Sequence, residues 1–179
     1  MAWIIEFEGK KPQIAEDAFI APNATIIGDV IIGSKASVWY GVVIRGDTGH
    51  IRVGARTSVQ DNVVLHVNSY HDTIIGSDVT LGHAAVLEGC TIGDGALIGM
   101  SATVLDGAQV GADALIAAGT VVRENQKIPP KTVAAGVPAR VRGKVTPPLA
   151  ERIAVAPQKY QIYMQQHIAA TAHLVEEEQ

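Results

Sequence analysis

Aliphatic residues recur every six positions along most of the chain. Counted from Ile14, they fall at Ile14, Ile20, Ile26, Ile32, Val38 and Ile44. The count restarts at Val53, Val59 and Leu65, and again at Ile75, Leu81 and Leu87. It then runs through Ile92, Ile98, Val104, Val110, Ile116, Val122 and Ile128. All nineteen positions are Ile, Leu or Val, types that fill only 48 of the 179 residues, so chance does not produce the pattern. Small or β-branched residues stand two places earlier, among them Ala24, Ala36, Thr57, Thr73, Cys90, Ala96, Ala108 and Thr120. Residues two apart on a strand share a face, so both sets point inward. A period of six does not match the 3.6 residues of a helical turn. The pattern predicts a mainly β fold, a parallel β-helix of three short strands per coil, whose coils bury their apolar side by stacking.

The interruptions are as informative as the period. Ile44 to Val53 spans nine residues, Leu65 to Ile75 ten, and Leu87 to Ile92 five. Three repeats make a coil, so all three irregularities leave the same corner on successive coils, which points to a working site there. The residue after each aliphatic faces outward. That places Arg45, His66 and Glu88 in one exposed column, with neighbouring strands about 4.8 Å apart. One face earlier, Asp61 stacks beneath His83, with Gln60 beside them. At that spacing His66 and Glu88 are able to share a ligand.

The repeat and its strings of Gly resemble the hexapeptide-repeat, left-handed β-helix family over roughly residues 12–143, and 135–139 resembles the close of such prisms. The runs Arg45-Gly46-Asp47, Gln60-Asp61-Asn62, Leu65-His66, Gly82-His83 and Gly89–Asp94 resemble the γ-class carbonic anhydrase branch of that family. The resemblance implies a homotrimer with a divalent metal at each subunit interface: most readily zinc, with iron(II) and cobalt also suited. It implies His66 and Glu88 as ligands from one chain and His83 from the next. Arg45 and Asp47 would form ion pairs between subunits, and Gln60 and Asp61 would hydrogen-bond beside the metal. The implied reaction is the reversible hydration of CO2 to bicarbonate by water activated on the metal. Three positions depart from the family: Glu88 replaces a third histidine, Thr48 stands where active members carry a glutamate, and Ser58 where asparagine is usual. The carboxylate removes one unit of positive charge and predicts a weaker or absent activity. Two rivals stay open. One is an acyltransferase or thioesterase using acyl-CoA with a histidine base; the other is a non-catalytic trimeric metal-binding or assembly protein.

Beyond Thr146-Pro147-Pro148 the pattern changes. Residues 1–145 read as the β-helix and 146–179 as a helical segment packed on it. Its helix is expected over 149–175, with Pro157 opening or breaking it, Tyr160, Tyr163, Met164 and Ile168 on the packing stripe, and a frayed Glu176–Gln179. His167 and His173 are expected to face solvent. His50 and His71 fall in the inserted loops as loop-packing residues, and Cys90 takes an inward slot. A net charge of −4 argues against a nucleic-acid surface. One cysteine fits a reducing compartment. The short N-terminal apolar stretch is not a signal peptide, and no run approaches a membrane span. The expected location is the cytoplasm.

Overall fold

In the computed structural model, which describes residues 1–176 and side chains through Ala172, the chain forms a parallel β-helix of about seven turns followed by one helix. Three faces repeat in order. The first is an eight-stranded sheet containing Ser37–Val38, Ser58–Val59, Thr80–Leu81 and Leu97–Ile98. The second contains Val64–His66 and Val86–Glu88; the third contains Thr73–Ile75 and Thr91–Ile92. The second and third merge into one twelve-stranded sheet because Thr25–Ile32 and Val43–Val53 run without a break through the corner between them.

The six-residue clock is the core. Every aliphatic of the series is buried except Ile14 and Ile20, which are partly covered at the N-terminal end of the stack. The register is one-to-one: Val59 pairs with Leu81, and Leu65 lies between Ile44 and Leu87. Like side chains therefore stack in columns, and each coil buries the apolar face of the next. The small inward slots leave room for the wall to turn.

Glycine matters where coils touch. A Cβ on Gly54 would lie 2.5 Å from the backbone of Gly76 and Ser77 on the next coil, which ladder hydrogen bonds hold in place. Gly54→Ala is therefore expected to cost about 1–3 kcal/mol by overpacking, read as a lowered urea midpoint.

The helix spans Pro147–Glu176 and returns along the first face. Its opening is set by Thr146, whose carbonyl accepts from Ala150 N at 2.9 Å, with Pro147 where a missing N–H costs nothing. Pro157 neither opens nor breaks it: the helix continues through the proline, which is buried against the prism. The packing stripe also differs from expectation. It runs Ile153, Pro157, Tyr160, Met164 and His167, while Tyr163 and Ile168 are exposed. His167 faces the prism because it has partners there. Its Nδ1 lies 2.8 Å from the Tyr40 hydroxyl, and its ring meets Trp39 edge-on at 5.0 Å. Phe19, Trp39 and Met164 form a second small core beneath it. The side chain of His173 and residues 177–179 lie outside the described residues. Among the described residues, no helix is long and apolar enough to cross a membrane.

Candidate metal centre

Two edges bound the second face, and each carries one part of the predicted site. At its edge with the third face stand Arg45, His66 and Glu88, paired one-to-one across adjacent strands. At its edge with the first face stand Asp61 and His83, in the turns after Ser58–Val59 and Thr80–Leu81. His66, His83 and Glu88 share the same two coils, so both edges carry their donors at one height of the stack.

His66 sits between two carboxylates. Its Nε2 donates to Asp47 Oδ1 at 3.3 Å, and its Nδ1 faces Glu88 Oε1, also at 3.3 Å. A neutral imidazole has one N–H, so the bond to Asp47 leaves a lone pair on Nδ1, the ring nitrogen beside the Glu88 carboxylate. Two lone pairs at that distance repel unless a cation lies between them. Tetrahedral zinc with bonds of about 2.0–2.1 Å sets its donors about 3.3 Å apart, so the pair fits one edge of such a site. Asp47 also accepts from Arg45 within the same chain. Partial burial pushes the Asp47 carboxyl up, but the hydrogen bond and charge of Arg45, with His66, hold it below the ordinary aspartate value.

His83 is arranged in the same way on the other edge. Its Nδ1 lies 2.8 Å from Asp61 Oδ2, which keeps the ring proton there and leaves the lone pair on Nε2. Gln60 is buried, and its Oε1 accepts from the backbone N–H of His83 at 3.1 Å, fixing where the turn sits. Among the described residues of one chain, no three His, Cys, Asp or Glu side chains come together as a complete metal set. The chain places His66 and Glu88 on one edge of the second face and His83 on the opposite edge.

Three further residues build this corner. Buried Thr73 donates through its hydroxyl to the His66 carbonyl and accepts from Gly89 N at 2.8 Å, tying the backbone at one ligand to the turn after the other. Its only sequence signal is a hydroxyl in a slot mostly filled by alanine. Thr48 Oγ1 donates to the Val67 carbonyl at 2.9 Å and holds the start of the inserted loop. Tyr160, on the expected packing stripe, also brings its hydroxyl to 3.4 Å from His83 Nε2. Partial burial pushes that phenol up, with Asp61 and Tyr163 adding to the effect.

The remaining candidates are structural. His50 Nδ1 pairs with Asp29 at 2.8 Å, and His71 Nδ1 with Asp106 at 3.0 Å, each pinning an inserted segment to another coil. Cys90 is buried in its inward slot, and burial pushes its thiol up to about 12, so it is no nucleophile. Ser58 Oγ is buried without a hydrogen-bond partner beside Thr80 on the next strand.

Comparison with known proteins agrees with this architecture. The family described as bacterial transferase hexapeptide (six repeats) matches residues 11–46 and 89–124, and the hexapeptide repeat of succinyl-transferase matches residues 72–100, leaving the 47–71 stretch outside both. Gamma carbonic anhydrase 1, mitochondrial, of Arabidopsis thaliana is 44% identical over 169 residues, covering 91% of this chain and 62% of that protein. The chain thus spans less than two thirds of the length of that relative. The carbonic anhydrase of Geobacillus kaustophilus is 45% identical over 143 residues, covering 80% of this chain and 79% of its own. A crystal structure of a candidate acetyltransferase from Bacillus cereus superposes with a TM-score of 0.93 at 40% identity, covering 94% of this chain and 98% of the other. Matches of this identity and extent, on a prism whose corner carries Arg45, Asp47, His66 and His83, show that the chain belongs to the γ-carbonic-anhydrase-like branch of the hexapeptide-repeat family.

Proposed function

We propose that three copies of this chain assemble in the cytoplasm around their second faces. Each interface binds one divalent metal, most readily zinc, and the assembly interconverts CO2 and bicarbonate. The observation that carries this reading is the approach of His66 Nδ1 to Glu88 Oε1 at 3.3 Å. A prism with a one-donor edge and a two-donor edge on the same face completes the set when the unlike edges of neighbours meet. Such a head-to-tail contact closes into a ring. The second face also has an apolar outer column to bury: Trp3, Thr25, Val43, Val64, Val86, Thr103 and Val121 stack in register. Trp3 is 68% and Val86 41% exposed, an apolar surface suited to association.

In this arrangement His66 and Glu88 of one chain and His83 of the next hold the metal. A bound divalent cation supplies Lewis acidity, which brings water's pKa toward neutrality. The protein's own part is orientation. Asp47 holds the proton on His66 Nε2, so Nδ1 remains the donor; Asp61 holds that of His83 on Nδ1. With Gln60 Oε1 committed to the His83 backbone, its NH2 group is the end that orients an oxygen of the substrate. Glu88 leaves the centre one positive charge poorer than a three-histidine set, which weakens its pull on water.

The test pairs metal analysis with a CO2-hydration assay. About one ion per chain is expected. Glu88→His is expected to raise kcat/KM about tenfold, equivalent to roughly 1.4 kcal/mol of barrier. Retained metal with no gain in rate would reject the carboxylate as the limiting feature. The acyl-transfer alternative has its own observation: an imidazole oriented by Asp61, with its Nε2 beside the Tyr160 hydroxyl, is also the arrangement of a general base. Turnover of acetyl-CoA by metal-free protein would favour it. Trimers lacking both metal and turnover would favour an assembly role.

A further inference from the structure

The loop between Val64–His66 and Thr73–Ile75 is built rather than loose. Asn68 Oδ1 accepts from the backbone N–H groups of Tyr70 at 2.9 Å and His71 at 3.0 Å, while its Nδ2 donates to Asp106 at 2.6 Å. His71 reaches the same carboxylate. What this fastened loop presents is Tyr70, 85% exposed at its tip. An aromatic ring held on a rigid loop has prepaid most of the ordering cost of binding, and buried tyrosines are favoured anchors of interfaces.

A receptor lies on the other edge. On the exposed flank of the C-terminal helix, Val155, Lys159, Tyr160 and Tyr163 line a concavity of about 520 Å³. Tyr160 and Tyr163 meet edge-to-face at 5.6 Å, and the Tyr160 hydroxyl touches His83. Tyr70 is four residues beyond His66 on the two-donor edge; the tyrosine pair is anchored to His83 on the one-donor edge. Whatever brings His83 to His66 also brings this concavity to Tyr70. The charges agree: Asp72 lies two residues beyond Tyr70, and Arg152 and Lys159 against Glu151 give the lining of the concavity a net positive charge.

We infer that Tyr70 docks into the concavity beside the partner subunit's Tyr163, so that the inserted loop of one chain roofs the metal site completed by the next. The inference rests on the proposed ring of unlike edges and adds a specific anchor to it. It also explains why an insertion at this corner ends in a tyrosine rather than a charged residue: the ring excludes water from one side of the site.

The test uses the full chain carrying Tyr70→Cys and Tyr163→Cys together. Both positions are exposed, so folding is retained, and buried Cys90 does not react. A short bis-maleimide is expected to give covalent dimers and trimers, which neither single variant gives. Trimers in sedimentation without cross-linking overturn the docking and leave the ring standing; monomers of the unsubstituted chain in sedimentation overturn both. In parallel, Tyr70→Ser is expected to raise the trimer dissociation constant about thirtyfold. An unchanged constant overturns the anchor.

Discussion

Replacing His66 with alanine is expected to lower bound zinc from about one ion per chain to less than a tenth, with the fold intact. His66 points outward from the prism, and the aliphatic beneath it, Leu65, is untouched, so the change removes a donor without opening the core. His83→Ala is expected to do the same from the opposite edge. The decisive form of the experiment mixes the two. If each metal is shared between neighbours, a site in a mixed trimer is whole when the chain supplying His66 and Glu88 carries the His83 change and the chain supplying His83 carries the His66 change. Random co-assembly of equal amounts then restores about one quarter of the sites. If all donors came from one chain, every chain would lack one and nothing would be restored. Metal content by mass spectrometry after co-refolding separates the outcomes without reference to turnover.

That such an experiment can be designed from the residues reflects what the repeat makes legible. Once the period is six and three strands close a coil, register is arithmetic. The pairing of His66 with Glu88, and of Val59 with Leu81, follows from counting before any coordinate exists. Interruptions do not spoil the count because they stay at one corner. The helix obeys no such clock. Apolar character along it favours Tyr163 and Ile168 for the packing stripe, yet His167 takes the inward place. That choice depends on Tyr40, Trp39 and Phe19, brought to the same spot by coil stacking and not by nearness in sequence. Tyr160 at His83 is likewise a contact between residues 77 positions apart. Thr73 was visible as a small inward residue, but its two hydrogen bonds depend on the backbone turning at Gly89, whose φ of 59° no local pattern announces.

The second large effect concerns the core itself. Leu87→Ala is expected to destabilise the protein by about 3–5 kcal/mol, the range for truncating a fully buried leucine that leaves a cavity. Leu87 is completely buried, in register between Leu65 and Val104 on the coils either side. The site cannot collapse to fill the void. Both neighbouring strands are held at fixed spacing by their own ladder bonds, and the facing side chains belong to columns that run the length of the stack. Ile14→Ala should cost far less, since Ile14 is only partly buried beside the end coil. Urea denaturation distinguishes them: the Leu87 midpoint should fall steeply at constant slope, whereas Ile14 should move little. Because each coil's stability depends on its neighbours, a change of slope for Leu87→Ala would mean that the stack splits there into two independently melting halves. A loss below about 1 kcal/mol would mean that the six-residue column is not the principal source of stability. Glu88 follows Leu87 directly and takes its place from the same strand pairing. The variant should therefore keep zinc while folded and release it over the same urea range in which the prism unfolds.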